Sequence, residues 1–360
     1  MPRSISAVVL VCCLAALVCM TGCTAPAGSP VFSGTPRPVL STEEMMEQLR
    51  AQYPAPGELL EINGTRMHIW CQGCGSPAVI MEAGSGDCSL SWALVQQNVS
   101  RFTRVCTYDR PGHGWSDPAP GPLTARNVTG RLHALLSRAG IPAPYVMVGH
   151  SLAGIYVRSY AHRYPDDVAG VVLVDPGSEW QAARTGGNFT RETQAAIAVT
   201  TAQVREMGKE AARGTFARNL SLVDGYCDPG LPPWEYNAYR ALWATEPLFW
   251  DACADEGGQA LLIWDEVARE NITRLGDIPL VVISSGRNMS FSSDPAADAH
   301  ANEVYRTLQR EMAAESPEGR YLVAENSGHN IQIDQPDVVT GAIRSVVQDV
   351  RDKQRGNPGP

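Results

Sequence analysis

Tyr145-Val146-Met147-Val148-Gly149-His150-Ser151-Leu152-Ala153-Gly154 puts a serine at the end of a short apolar run, flanked by small residues and followed by a helix-like pattern. Gly-x-Ser-x-small in that setting is what a nucleophile elbow needs: a buried strand, a strained turn and a hydroxyl at its apex. So tight a turn brings the chain before and after the serine together, and the small Gly149 and Ala153 meet that demand. Gly, Ser and Ala also punctuate ordinary turns, so the motif acquires meaning only from its partners.

A serine hydroxyl becomes nucleophilic near neutral pH beside a base, and the base needs an acid to hold its tautomer. His329 is the candidate base, in Glu325-Asn326-Ser327-Gly328-His329 just after the strand-like run Tyr321 to Ala324. The carboxyl ends of parallel strands line up, so a loop residue there can reach Ser151 from far along the chain. His113, also in a loop, is the reserve base. His150 adjoins the nucleophile and should point away from it, while His68, His133, His162 and His300 sit within elements.

Two aspartates compete for the acid. Asp175 ends the run Val171-Val172-Leu173-Val174, and Asp294 follows Val281-Val282-Ile283-Ser284-Ser285-Gly286-Arg287-Asn288-Met289, which itself lacks a carboxylate. Asp175 is preferred, with Asp294 as the alternative. Acyl transfer further needs N–H donors for the oxyanion. These are expected from Leu152, directly after the nucleophile, and from Ser85 in Glu82-Ala83-Gly84-Ser85-Gly86.

The elements that position these groups follow from periodicity. Leu59 to Glu61 and Met67 to Cys71 read as a hairpin across Asn63-Gly64, because Asn-Gly accommodates the positive φ of a tight turn. Ala78 to Met81, Val105 to Tyr108, Tyr145 to Val148, Val171 to Val174, Leu280 to Ile283 and Tyr321 to Ala324 read as buried strands. Helix-like stretches lie between them, at Val128 to Ala139, Ile155 to Arg163, Glu303 to Ala314 and Val338 to Val350. Such alternation predicts an α/β fold with a mostly parallel eight-stranded sheet and helices on both faces.

The alternation breaks between about Gly177 and Leu275, where 11 of the 25 aromatic residues fall. That stretch is expected to be a helical cap that builds an apolar substrate pocket. The expected domains are a core over 57–176 and 276–351, a cap over 177–275, a lipid-anchored stalk and linker over 23–56 and a flexible tail over 352–360.

Five motifs in order, Glu82-Ala83-Gly84-Ser85-Gly86, Tyr108-Asp109-Arg110-Pro111-Gly112-His113-Gly114-Trp115-Ser116, Gly149-His150-Ser151, Val174-Asp175 and Ser327-Gly328-His329, resemble the α/β-hydrolase superfamily. The resemblance covers about residues 57–351 and is closest to the carboxylesterase-like branch with a helical cap. It implies a serine hydrolase that needs no cofactor and acts on a small ester-like substrate with an apolar acyl part. Amidases, thioesterases and peptidases share that machinery, and a non-catalytic surface binding protein on the same scaffold is the alternative of a different class.

The chain has 360 residues, 44% of them hydrophobic, enough for a large packed core. A net charge of −9 argues against a nucleic-acid partner, which calls for basic patches. Arg3, the apolar run Ile5 to Met20 and then Met20-Thr21-Gly22-Cys23 resemble a lipoprotein signal, with residues 1–22 removed and Cys23 lipidated; an uncleaved N-terminal anchor is the alternative, and both tether the domain outside the membrane. The expectation is an extracytoplasmic, membrane-anchored protein. Six further cysteines, Cys71, Cys74, Cys88, Cys106, Cys227 and Cys253, would suit an oxidising compartment, with Cys227 to Cys253 the expected bridge because both lie in the insertion. No second Cys or His pair accompanies Cys71-x-x-Cys74, so no metal is expected. Seven of 12 asparagines, Asn63, Asn98, Asn127, Asn188, Asn219, Asn271 and Asn288, sit in Asn-x-Ser/Thr, which points to surface glycosylation.

Overall fold

The computed structural model describes residues 40–186, 191–290 and 294–356. The signal segment, Cys23 and Asn188 therefore lie outside the described residues.

Strands β1 (Glu58–Ile62) and β2 (Thr65–Gln72) form the expected hairpin, with φ of 52° at Asn63 and 78° at Gly64. Positive φ at both central positions matches the right-handed twist of the strands it joins. The remaining strands are β3 (Val79–Glu82), β4 (Val105–Tyr108), β5 (Tyr145–His150), β6 (Val168–Val174), β7 (Leu280–Ser285) and β8 (Gly319–Ala324). They assemble in the order β1-β2-β4-β3-β5-β6-β7-β8, antiparallel at β1/β2 and β2/β4 and parallel from β4 to β8.

Helices before the insertion are α1 (Thr42–Gln52), α2 (Ala93–Val99), α3 (Ala125–Arg138) and α4 (Ala153–Arg163). The insertion between β6 and β7 contributes α5 (Gln181–Arg184), α6 (Arg191–Ala212), α7 (Thr215–Arg218), α8 (Pro233–Thr245) and α9 (Pro247–Glu270). Beyond β7 come α10 (Pro295–Ala313), α11 (Ile331–Asp334) and α12 (Pro336–Gln354).

Every residue of β5 is buried because helices cover both faces of the sheet. Val146 and Val148 pack with α2 and α12, while Met147 between them packs with α3, α4 and α10. The period-2 alternation of side chains thus feeds two cores from one strand.

In the insertion, Pro233 and Pro247 open α8 and α9, where a missing N–H costs nothing. Trp243 stacks on Phe249 at 4.3 Å and meets Trp250 edge-on at 4.4 Å. This aromatic core is continuous with Cys88 and Leu90 of the main body, so the cap is packed onto the sheet domain.

Two expectations are corrected. Part of the stretch read as linker forms α1, capped reciprocally by Ser41 and Glu44, with Met46 buried against the cap. Ser-x-x-Glu is the spacing of a capping box. Cys227 and Cys253 are free thiols, and the bridge in the structure joins Cys71 to Cys106. Those two cysteines are direct partners in the β2/β4 register. Cys227 is buried in the cap core and Cys253 packs against the same core, but the Cys253 thiol faces the Gly86 carbonyl and no bridge forms between them.

Arg158 of α4 is wholly buried and fixes the root of the cap. Its guanidinium donates to Glu179, just after β6, at 2.7 Å and to Glu315, before β8, at 2.9 Å. Removing the cation would leave two carboxylates together in a dry interior. Arg158→Ala should lose about 3–5 kcal/mol, read as a lowered urea midpoint; an unchanged midpoint would contradict this account.

Candidate active site

Between β5 and α4 the backbone of Ser151 has φ 55°, a left-handed conformation that costs a non-glycine residue about 1–3 kcal/mol. Three backbone bonds hold it: Ser151 N–H to Val174 O at 3.1 Å, and Gly154 and Gly177 N–H to Ser151 O at 3.0 and 2.9 Å. A Cβ at Gly149 would lie 2.6 Å from the Ala153 carbonyl oxygen, and one at Gly154 would lie 2.5 Å from Pro176 Cβ. Small residues are therefore required on both sides of the serine.

His329, in the loop after β8, places Nε2 2.9 Å from Ser151 Oγ. Its Nδ1 lies 2.7 Å from Asp175 Oδ2. The carboxylate can only accept, so Nδ1 carries the hydrogen and Nε2 is free to take the serine proton. Asp175 directly follows β6 at φ 40° and is fully buried. Its Oδ1 accepts from Ser285 N–H at 2.9 Å and the Gln309 amide at 3.0 Å. Burial alone would raise this carboxyl, but His329, Ser285 and Gln309 outweigh it and hold the group below the usual carboxylate range.

The structure thus brings Ser151, His329 and Asp175 together and leaves Asp294 apart. Asp294 is exposed at the N-cap of α10, where it accepts from Ala296 N–H at 2.9 Å. β6 and β7 are adjacent in the sheet, so Asp175 at the end of one reaches the space that the carboxylate-free end of the other leaves open. His113 does not line the cavity with Ser151: it is buried in the loop after β4, its Nδ1 donating to Pro111 O at 3.2 Å and its Nε2 lying 3.7 Å from Glu256 Oε2.

Sequence reasoning missed four supporting residues. The neutral His150 donates from Nε2 to the His329 carbonyl at 3.0 Å and accepts at Nδ1 from the Gln332 amide at 3.3 Å. Burial, reinforced by the neighbouring His329, pushes its imidazole down to about 3, so it does not compete as a base. Gln309 orients Asp175, and Tyr305 donates to the Asp175 carbonyl at 2.7 Å. No spacing in the sequence announces these contacts, which cross between elements.

Gly84, after β3, packs against the elbow; a Cβ there would lie 3.3 Å from Ser151 Cβ. Ser85 follows on the cavity wall. Leu152 caps the N-terminus of α4, where a helix leaves its first N–H groups unpaired.

A cavity of about 400 Å³ opens onto Ser151 and His329 and continues beneath Tyr226, Tyr239, Trp243 and Trp250 of the cap. Its charged lining is Asp87 and Asp228, with no lysine or arginine among the described residues. Asp87 accepts from Tyr239 OH at 2.5 Å and Cys88 N–H at 2.7 Å, and burial raises its carboxyl.

A family model for the α/β hydrolase fold matches residues 77–336. The chain belongs to that family. Among curated relatives, the uncharacterized protein YqjL of Bacillus subtilis is 24% identical over 79% of this chain and 89% of its own length. Other relatives match locally: the chain spans 16% of the length of "Probable transporter efuK" from Hormonema carpetanum, at 39% identity, and 31% of an uncharacterized Schizosaccharomyces pombe protein, at 32%. A thermophilic esterase from Thermogutta terrifontis shares the α/β hydrolase fold at TM-score 0.56 and 20% identity, covering 81% of this chain and 97% of its own. A Pseudomonas aeruginosa structure assigned to an epoxide hydrolase does so at 0.61 and 16%, covering 82% and 96%.

The placement of the two aspartates generates a direct test. Asp175→Asn should slow fluorophosphonate labelling of Ser151 by up to about 10⁴-fold, as loss of the correct tautomer predicts, and Asp294→Asn should label at the parental rate. The reverse pattern would assign the acid to Asp294.

Proposed function

We propose that this α/β hydrolase cleaves carboxylic esters through an acyl-enzyme on Ser151. The observation that carries the proposal is the pair of contacts on His329, 2.9 Å to Ser151 Oγ and 2.7 Å to Asp175, at the floor of an aromatic-walled cavity.

In this reading Ser151 Oγ attacks the ester carbonyl as its proton passes to His329 Nε2, and Asp175 stabilises the imidazolium. The N–H groups of Leu152 and Ser85 receive the oxyanion, and His329 returns the proton to the leaving alcohol. Water then repeats the sequence on the acyl-enzyme. An apolar acyl chain would bury against Trp243 and Trp250 at roughly 0.8 kcal/mol per methylene. Asp87 and Asp228, without a lining cation, disfavour an anionic one.

We further propose that the protein works outside the cytoplasm, tethered by lipid at Cys23. The basic and apolar N-terminal segment supports this, and the Cys71 to Cys106 bridge suits an oxidising compartment. Among the described residues, which begin at Leu40, no helix is long and apolar enough to cross a membrane.

A panel of nitrophenyl esters tests the chemistry. Butyrate and hexanoate esters should turn over, Ser151→Ala should lose at least about 10³-fold in kcat, and a succinate half-ester should fall tenfold or more below butyrate in kcat/KM. Hydrolysis that survives Ser151→Ala would defeat the mechanism. For the anchor, cells fed a labelled fatty acid should yield labelled protein from the parental gene and none from Cys23→Ala; equal label in both would remove the proposal.

A further inference from the structure

Two buried side chains outside the triad grip the loop that carries Ser85. The Arg110 guanidinium, 2% exposed, donates from Nη1 to the Ala83 carbonyl and from Nη2 to the Gly84 carbonyl, each at 2.6 Å. Its Nε donates to Glu256 Oε1 at 2.8 Å, and Nη2 also reaches Oε2 at 3.1 Å. Glu256, on cap helix α9, accepts the Gly86 N–H on Oε2 at 2.9 Å. Glu82 stands 3.8 Å from Arg110, and the Tyr156 hydroxyl donates to Glu256 at 3.4 Å.

The geometry of the peptide unit gives this grip its consequence. The Gly84 carbonyl and the Ser85 N–H belong to one planar trans peptide, so they point in opposite directions. Holding the carbonyl on Arg110 aims the N–H away from Arg110. Gly84 and Gly86 flank the serine, and Gly86 has φ 66°, so the loop's own torsions oppose a peptide flip only weakly. A flip of the Gly84-Ser85 peptide would present a carbonyl oxygen where the oxyanion must form.

We infer that Arg110 and Glu256 are positioning residues for the oxyanion site, and that the cap, through Glu256, holds the core's backbone donor in its working orientation. The inference rests on the reading of Ser85 as that donor. A merely structural ion pair would fasten cap to core without setting the direction of the Ser85 N–H.

Arg110→Lys keeps the charge but cannot span two carbonyls and a carboxylate. In that variant kcat for nitrophenyl butyrate should fall about 10²-fold with KM within threefold. Affinity for an alkyl trifluoromethyl ketone, whose hemiketal oxyanion needs the same donors, should fall by a similar factor. The isosteric Glu256→Gln, which retains an acceptor for Gly86, should show the same pattern at about tenfold. Full kcat and ketone affinity in both variants, or a kcat loss with unchanged ketone affinity, would overturn the inference. Hydrogen exchange at Gly84 to Cys88 supplies a readout independent of turnover: it should quicken at least tenfold in Arg110→Lys, and unchanged exchange would overturn the clamp. Absence of ester turnover and of Ser151 labelling in the parental protein would instead defeat the proposed function, with the clamp still judged by exchange.

Discussion

The left-handed backbone at Ser151 is the constraint on which the rest of the site depends. It turns the chain sharply from a buried strand into a helix and leaves the hydroxyl at the apex, exposed to the cavity. That conformation survives because the end of β6 receives the Ser151 N–H and the following Gly177 binds its carbonyl. Asp175 lies between those two anchors. The segment that stabilises the strained serine is therefore the same one that carries Asp175, the carboxylate that meets His329.

Burial then sorts the ionisable groups. Asp175 stays ionised because two neutral N–H donors and one imidazole converge on it, whereas His150 stays neutral because its dry surroundings offer a carbonyl and an amide in place of an anion. Two histidines with ring centroids 4.7 Å apart thus take different tasks. One faces the serine and its acid; the other props the main chain that carries the first.

The cap is more than a roof. Its aromatic core continues into the main body through Cys88 and Leu90, and Glu256 extends it to the backbone beside Ser151. The Tyr108 to Ser116 motif meets it from below. Asp109 accepts from the N–H groups of Ser89 and Trp115. A Cβ at Gly114 would lie 2.3 Å from its carboxylate, and Ser116 closes the loop onto the Asp109 carbonyl. This motif shapes the loop that presents Arg110, and its His113 places Nε2 3.7 Å from the Glu256 carboxylate.

Much of the architecture was legible in the chain because it is local. Alternating apolar runs, the Asn63-Gly64 turn and the small residues around Ser151 obey short-range sterics, so the sheet, its flanking helices and the elbow follow from neighbours in sequence. Over α1 the structure departs from the linker expectation because Ser41 and Glu44 form a capping box that starts a helix. Contacts between distant segments were not legible. The choice of Asp175 over Asp294, the pairing of Cys71 with Cys106 and the support from His150, Gln309 and Glu256 depend on strand order, register and cap placement. By itself the sequence determined which residues can be nucleophile and base. Tertiary structure decided which carboxylate meets the base and what holds the backbone around it, because those distances are set by packing between elements.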